Sequence, residues 1–378
     1  MANQGVIQSV SVATIQCELP EPVIFGDWVM KHRETVVVRL QSEKGVDGWA
    51  FTLTRDGSVA EQIRKTLAGI YVGQPVEEQE RLFALARRRS LASHASGIGL
   101  RALSIVDLAA WDLASRSSDR SIASMLGGKN GSMPATAIIG YPPTSVGPQE
   151  VAKQVETLRA AGWRRFKVAM SADHKSTAAR LRSVRSVAPD DWLGLDAAWM
   201  FDSVDDAVEF ITSVEDVRLA WFEDVFPPGD AALVAQLRRR VSTPIAMGDE
   251  QGGSYYPEAL LARDAVDVVR VDLTCMGGIS GGRKLIEACA GAKVFVAPHM
   301  NGHVHSQVFS ALGLDEAPIE WGIPWTGVDP YADSLIQPSI DVEGYMRPLP
   351  EQPGFGPLVN SEWARSQPHQ DPDGILAG

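Results

Sequence analysis

LGLDAA at 193–198, AWFEDV at 220–225, PIAMGDE at 244–250, VVRVDLT at 268–274, VFVAPH at 294–299 and APIEWG at 317–322 are six short apolar runs, each closing on a titratable side chain. Those side chains are Asp196, Glu223, Asp249 with Glu250, Asp272, His299 and Glu320, at steps of 27, 26, 23, 27 and 21 residues. A step of about 25 residues is one strand plus one returning helix, the unit of a parallel α/β barrel, and reactive side chains in such barrels gather at the strand C-termini. The rhythm therefore predicts both the fold and the mouth at which the active site lies.

Working outward, the alternation runs back to about residue 135, through RRFKVAM at 164–170 to a first strand in ATAIIGY at 135–141, eight strands in all. Before it, VIQSVSVATIQCEL and ETVVVRLQSEKGVDGWAFTL read as strands turning at Glu43-Lys44-Gly45. Helices follow, one starting at a Ser58 cap and one in GLRALSIVDLAAWDLASR, with a stop at Gly127-Gly128. Past about 325 the pattern fades, and QPHQDPDGILAG at 367–378 reads as a loosely held tail. The expected division is 1–130, 131–325 and 326–378.

The chain has 378 residues, 45% hydrophobic and 22% charged, as in soluble globular proteins. No apolar run approaches the roughly 20 residues needed to cross a bilayer. A net charge of −12 argues against nucleic acid or an anionic membrane as partner, yet permits an anionic substrate where a divalent metal inverts the local potential. Cys17, Cys275 and Cys289 are sparse and unpaired in pattern, and the first residues lack a signal-peptide profile, so a cytoplasmic location is expected.

Carboxylates on adjacent strand ends repel unless something positive lies between them. Asp196, Glu223 and Asp249 sit on three successive strands, and three oxygen ligands suit Mg²⁺. Glu250 points away from Asp249 if the strand is still extended there, so one of the pair is the direct ligand; Asp249 is favoured, with Glu250 behind it. His299 needs an acceptor on its second nitrogen to act as a base, and Asp272 can supply it.

On these residues the chain resembles the enolase superfamily, mandelate racemase subgroup, over essentially its whole length. The resemblance implies a modified TIM barrel of seven β/α units plus a last strand, with an N-terminal α+β capping domain completed by the C-terminal segment. It implies Asp196, Glu223 and Asp249 as metal ligands, Asp272 and His299 as a dyad, and Glu320 as the acid of the last strand. Glu320 either donates a hydrogen bond to an enediolate oxygen when protonated or anchors its strand. The implied chemistry is removal of the proton alpha to a carboxylate, with the enediolate stabilised by Mg²⁺.

Two positions depart from the family. Its Lys-x-Lys motif is Lys167-Val168-Ala169 here, so Lys167 is carried over as the cation for the substrate carboxylate, while the second base is missing. Ala198 stands where the family often has Asn. Racemisation needs groups on both faces of the alpha carbon, whereas dehydration can use His299 alone. The expectation is thus an acid-sugar dehydratase acting on an aldonate or aldarate, in a homo-oligomer. A racemase or epimerase, a cycloisomerase, and a decayed ligand-binding barrel are the alternatives. Substrate choice is expected in loops at about 20–30 and 52–57, with Trp28 and Arg55 as substrate contacts. His303 and His305 are given no chemical role.

Overall fold

Runs of β-branched residues build the N-terminal sheet. β1 (Ile7–Phe25), β2 (Trp28–Ser42) and β3 (Asp47–Leu53) form an antiparallel meander. Gly45, at φ +76°, makes the expected turn after β2, its N–H donating to the Ser42 carbonyl at 2.9 Å. The structure is a computed structural model and describes residues 4–89, 91–248, 250, 253, 255–326, 337–356 and 361–376.

Residues 20–30, expected as a loop, instead form the tip of the β1–β2 hairpin, with Phe25 opposite Trp28. The ladder breaks register between Glu18 and Val23, where Pro20 and Pro22 have no N–H to offer it. Ser58 makes no side-chain cap bond to the helical turns that begin at Val59.

The helix Gly97–Ser118 is buried from Gly99 to Ser115 and forms the seam of the molecule. On one side it lies against β3, where a Cβ on Gly48 would come within 2.4 Å of the Ala109 carbonyl oxygen. On the other, Asp107 accepts the Ser280 N–H at 3.0 Å and its hydroxyl at 2.7 Å, at the start of the helix Gly278–Ala292. Each fully buried Leu, Ile or Val on such a helix contributes about 1.5–3 kcal/mol.

The barrel strands are β4 (Met133–Ile139), β5 (Arg165–Ala169), β6 (Trp192–Asp196), β7 (Trp221–Glu223), β8 (Ile245–Met247), β9 (Val268–Val271), β10 (Phe295–Pro298) and β11 (Ile319–Gly322). They run parallel in the order β10-β9-β8-β7-β6-β5-β4-β11, a nearly closed ring. Trp192 and Trp221 meet edge to face at 4.6 Å and, with Ala246, Val268 and Ala297, fill the barrel with hydrocarbon toward the strand N-termini. That layer is the floor on which the polar site rests.

The C-terminal segment returns to both layers. β12 (Tyr345–Met346) pairs with β4, and β13 (His369–Gln370) pairs with Thr14 and Ile15 of β1. The expectation of a loose tail is therefore wrong. Ile375 and Leu376 are buried, and the Asp371 carboxylate accepts both of their N–H groups at 2.8 Å. Among the described residues no helix is long and apolar enough to cross a membrane.

Candidate active site

Lys167, the middle residue of β5, points into the barrel and is fully buried. Its ammonium lies 2.9 Å from Glu223 Oε1, 2.8 Å from Glu320 Oε1 and 3.5 Å from Asp196 Oδ2. Burial opposes its charge, but the three carboxylates outweigh burial and hold it well above the usual lysine range.

Sequence reasoning missed the second cation of this cluster. Arg270 interrupts the apolar strand β9, and its Nε donates to Glu223 Oε1 at 3.1 Å while an NH₂ donates to Glu320. Its guanidinium also lies over the Trp221 ring, 5.0 Å from the centroid. The signal was present: a charge inside VVRV, two residues before Asp272 and hence on the same strand face.

Arg270 and Lys167 decide the state of Glu320. Burial alone would raise its pKa, but the two cations bring it down to about 2. Both cations lie on Oε1, which favours a charged Glu320 over the protonated donor of the first expectation. Its other oxygen, Oε2, accepts the Met300 N–H at 3.1 Å.

Asp272 follows β9 and His299 follows β10. His299 Nδ1 is 3.3 Å from Asp272 Oδ2. The other oxygen, Oδ1, accepts the Thr274 N–H at 2.8 Å and hydroxyl at 2.7 Å, and Thr52 of the cap donates to that hydroxyl at 2.7 Å. Burial would raise Asp272, but the hydrogen bond with His299 keeps its pKa lowered. The pair is thus buried, joined and tied to the cap.

Across the mouth lies a different wall. From β5 to β10 is three strands round the ring one way and five the other. Ala169 there is embedded among Leu19, Val23 and Met30 of the cap and Ile138 and Tyr141 of the barrel. Phe25 packs on the same cluster. Where the family motif would set an amine, this chain has hydrocarbon.

Glu250 is separated from the acid–lysine cluster. Arg55 Nε donates to its Oε2 at 2.7 Å, Arg55 also reaches Oε1, and Arg101 donates to Oε2 at 2.9 Å. Burial is outweighed by these guanidiniums, so its carboxyl is held well below the usual range. Both Glu250 oxygens are taken by guanidiniums, and Oε1 also lies 3.8 Å from His299 Nδ1, which agrees with Glu250 standing behind Asp249. Arg55 does line the cleft beside Trp28, with its guanidinium 5.9 Å from the indole centroid, but its fork is engaged by Glu250. A substrate carboxylate would have to compete for it.

Asp196 and Glu223 are the described carboxylates that could donate to a hard cation here. Asp249, the third acid of the pattern, lies outside the described residues, and among those described no three acidic, histidine or cysteine side chains cluster closely enough to hold a metal unaided. Two observations nevertheless fit a divalent cation. Glu223 Oε2 is buried without a hydrogen-bond partner among the described residues, and burial pushes the Glu223 carboxyl up to about 7 despite Arg270 and Lys167. The Lys167 ammonium also marks the spot where Asp196 and Glu223 converge on positive charge.

Residues 150–363 match the family model described as Enolase C-terminal domain-like, and residues 9–127 match the Mandelate racemase / muconate lactonizing enzyme, N-terminal domain. The chain belongs to the enolase superfamily. It is an enzyme of that superfamily, and its relatives span several reactions. An L-rhamnonate dehydratase of Saccharopolyspora erythraea is 27% identical, covering 89% of this chain and 85% of its own. A D-galactarolactone cycloisomerase of Agrobacterium fabrum is 24% identical, covering 94% and 97%. A solved racemase from Streptomyces coelicolor A3(2) with bound magnesium superposes with a TM-score of 0.84 at 20% identity, covering 96% and 99%.

Proposed function

We propose that the chain is a Mg²⁺-dependent dehydratase of an acid sugar, an aldonate or aldarate, releasing water to give a 2-keto-3-deoxy acid. The observation that carries this reading is the one-sidedness of the mouth: a histidine joined to an aspartate on one wall and Ala169 set in hydrocarbon on the other. Proton exchange on both faces of a carbon needs two groups. Elimination needs one.

Asp196 and Glu223, with Asp249, would hold the metal. Mg²⁺, when bound, supplies the positive charge that makes a hydrogen alpha to a carboxylate acidic enough for a protein base. Lys167 adds a fixed cation for the substrate carboxylate and for charge developing on it. Asp272 takes the Nδ1–H of His299, which leaves Nε2 with the lone pair in the neutral ring. That nitrogen removes the alpha proton, and Asp272 supports the resulting imidazolium. The same nitrogen then returns the proton to the departing β-hydroxyl. One C–H and one C–O bond break, a C=C bond forms, water leaves, and the enol becomes the ketone.

The relative in Agrobacterium fabrum supports a second reading, cycloisomerisation of a lactone, which can also run on one acid–base group. Incubating the protein with Mg²⁺ and a panel of acid sugars and their lactones, with semicarbazide trapping of keto acid, separates the two. Keto acid from a linear acid sugar supports dehydration. Turnover of lactones alone supports the second reading, and Mg²⁺ binding without either defeats both.

A further inference from the structure

His305 lies in the first turn of the helix Gly302–Ala311, is fully buried, and has a partner on each ring nitrogen. The Leu273 N–H donates to Nε2 at 3.0 Å, and Nδ1 is 2.6 Å from the Met300 carbonyl oxygen. A backbone N–H only donates and a carbonyl only accepts, so Nε2 carries the lone pair and Nδ1 the proton. The ring is therefore neutral in a single tautomer, as burial, which lowers its pKa, also favours.

The two partners are informative. Leu273 follows Asp272 and Met300 follows His299, so the ring bridges the peptides next to both members of the dyad. The β9–β10 ladder ends one residue earlier, with the His299 N–H donating to the Val271 carbonyl at 3.1 Å. Past that point Met300 and Asn301 take left-handed backbone at φ 45° and 48°, a conformation that non-glycine residues keep only when their surroundings enforce it. Glu320 grips Met300 by its N–H and His305 grips it by its C=O.

We propose that His305 is a positioning residue: by joining Leu273 to Met300 it holds His299 at hydrogen-bonding distance from Asp272. Its kinetic consequence rests on the reading of His299 as the base. The geometric claim does not.

Two variants test it. His305→Gln keeps one acceptor and one donor on a planar group, and His305→Leu keeps neither. His305→Leu should lower kcat about 10²-fold, the scale of a misplaced catalytic group, with KM and the Mg²⁺ dissociation constant within about threefold. His305→Gln should recover most of that loss. A readout free of turnover uses ¹⁵N-histidine NMR at pH 7. It should find His305 neutral and protonated on Nδ1, with the His299 ring signals, assigned through His299→Asn, moved by His305→Leu and little changed by His305→Gln. Equal behaviour of the two variants, a loss confined to KM or metal affinity, or a cationic or Nε2-protonated His305 would overturn the proposal. If no acid sugar is turned over, the dehydratase reading fails while the NMR result still decides this one.

Discussion

The two walls of the barrel mouth are built from the same kind of strand end and share almost no chemistry. On the β9–β10 side, Asp272 and His299 are joined, Thr274 donates to Asp272, and His305 ties the neighbouring peptides of Leu273 and Met300. On the β4–β5 side, Ile138, Tyr141 and Ala169 continue into the apolar tip of the cap hairpin. A barrel fixes where side chains emerge, while the residue at each strand end fixes what chemistry that wall can carry. Here a histidine–aspartate pair stands on one side and packed apolar side chains on the other.

The comparison can be broken first at the polar wall. His299→Asn should cost about 10³–10⁴-fold in kcat, the upper range for a positioned acid–base group, with Mg²⁺ affinity by calorimetry unchanged. A fully active variant would remove the wall's claimed role. Beneath it, Arg270→Met leaves Glu223 and Glu320 to Lys167 alone, and urea unfolding should find a loss of about 3–5 kcal/mol. Retained stability would mean that Arg270 is not needed to neutralise the buried acids.

The apolar wall predicts a smaller effect. Ala169→Lys forces a long amine into packed hydrocarbon and should lower stability by about 1–3 kcal/mol; a variant as stable as the parent would show that this wall is open to water. At neutral pH the smallest effect belongs to a buried histidine of the helix Gly302–Ala311. His303 stacks on Phe51 at 4.7 Å, and burial, with His305 nearby, lowers its pKa to about 3 from 6.5. The unfolded chain therefore takes up a proton below about 6.5 that the folded chain refuses, so stability falls as pH drops from 6.5 toward 3. In His303→Phe that slope should flatten in thermal melts across this range; an unchanged slope would assign it to other groups.

Much of this was legible in the chain. The even spacing from Asp196 to Glu320 placed strand ends, because the length of a β/α unit is set by the fold. Partner choice across the ring was not legible, since it depends on which side chains the closed barrel brings together. Glu320 illustrates the gap: its position was readable, but its pairing with Arg270, fifty residues away, was not. The partners of Glu250 were hidden for the same reason, since Arg55 and Arg101 come from the cap. The tail was misread because polar composition hid the burial of Ile375 and Leu376.

The central claim is that proton transfer happens on one face and ends in elimination. It is tested most directly by running the reaction on an acid-sugar substrate in D₂O with Mg²⁺ and following both substrate and product by NMR. The account predicts keto acid carrying solvent deuterium at C3, and recovered substrate with its original configuration at the alpha carbon. Recovered substrate epimerised and deuterated at that carbon, without keto acid, would contradict it.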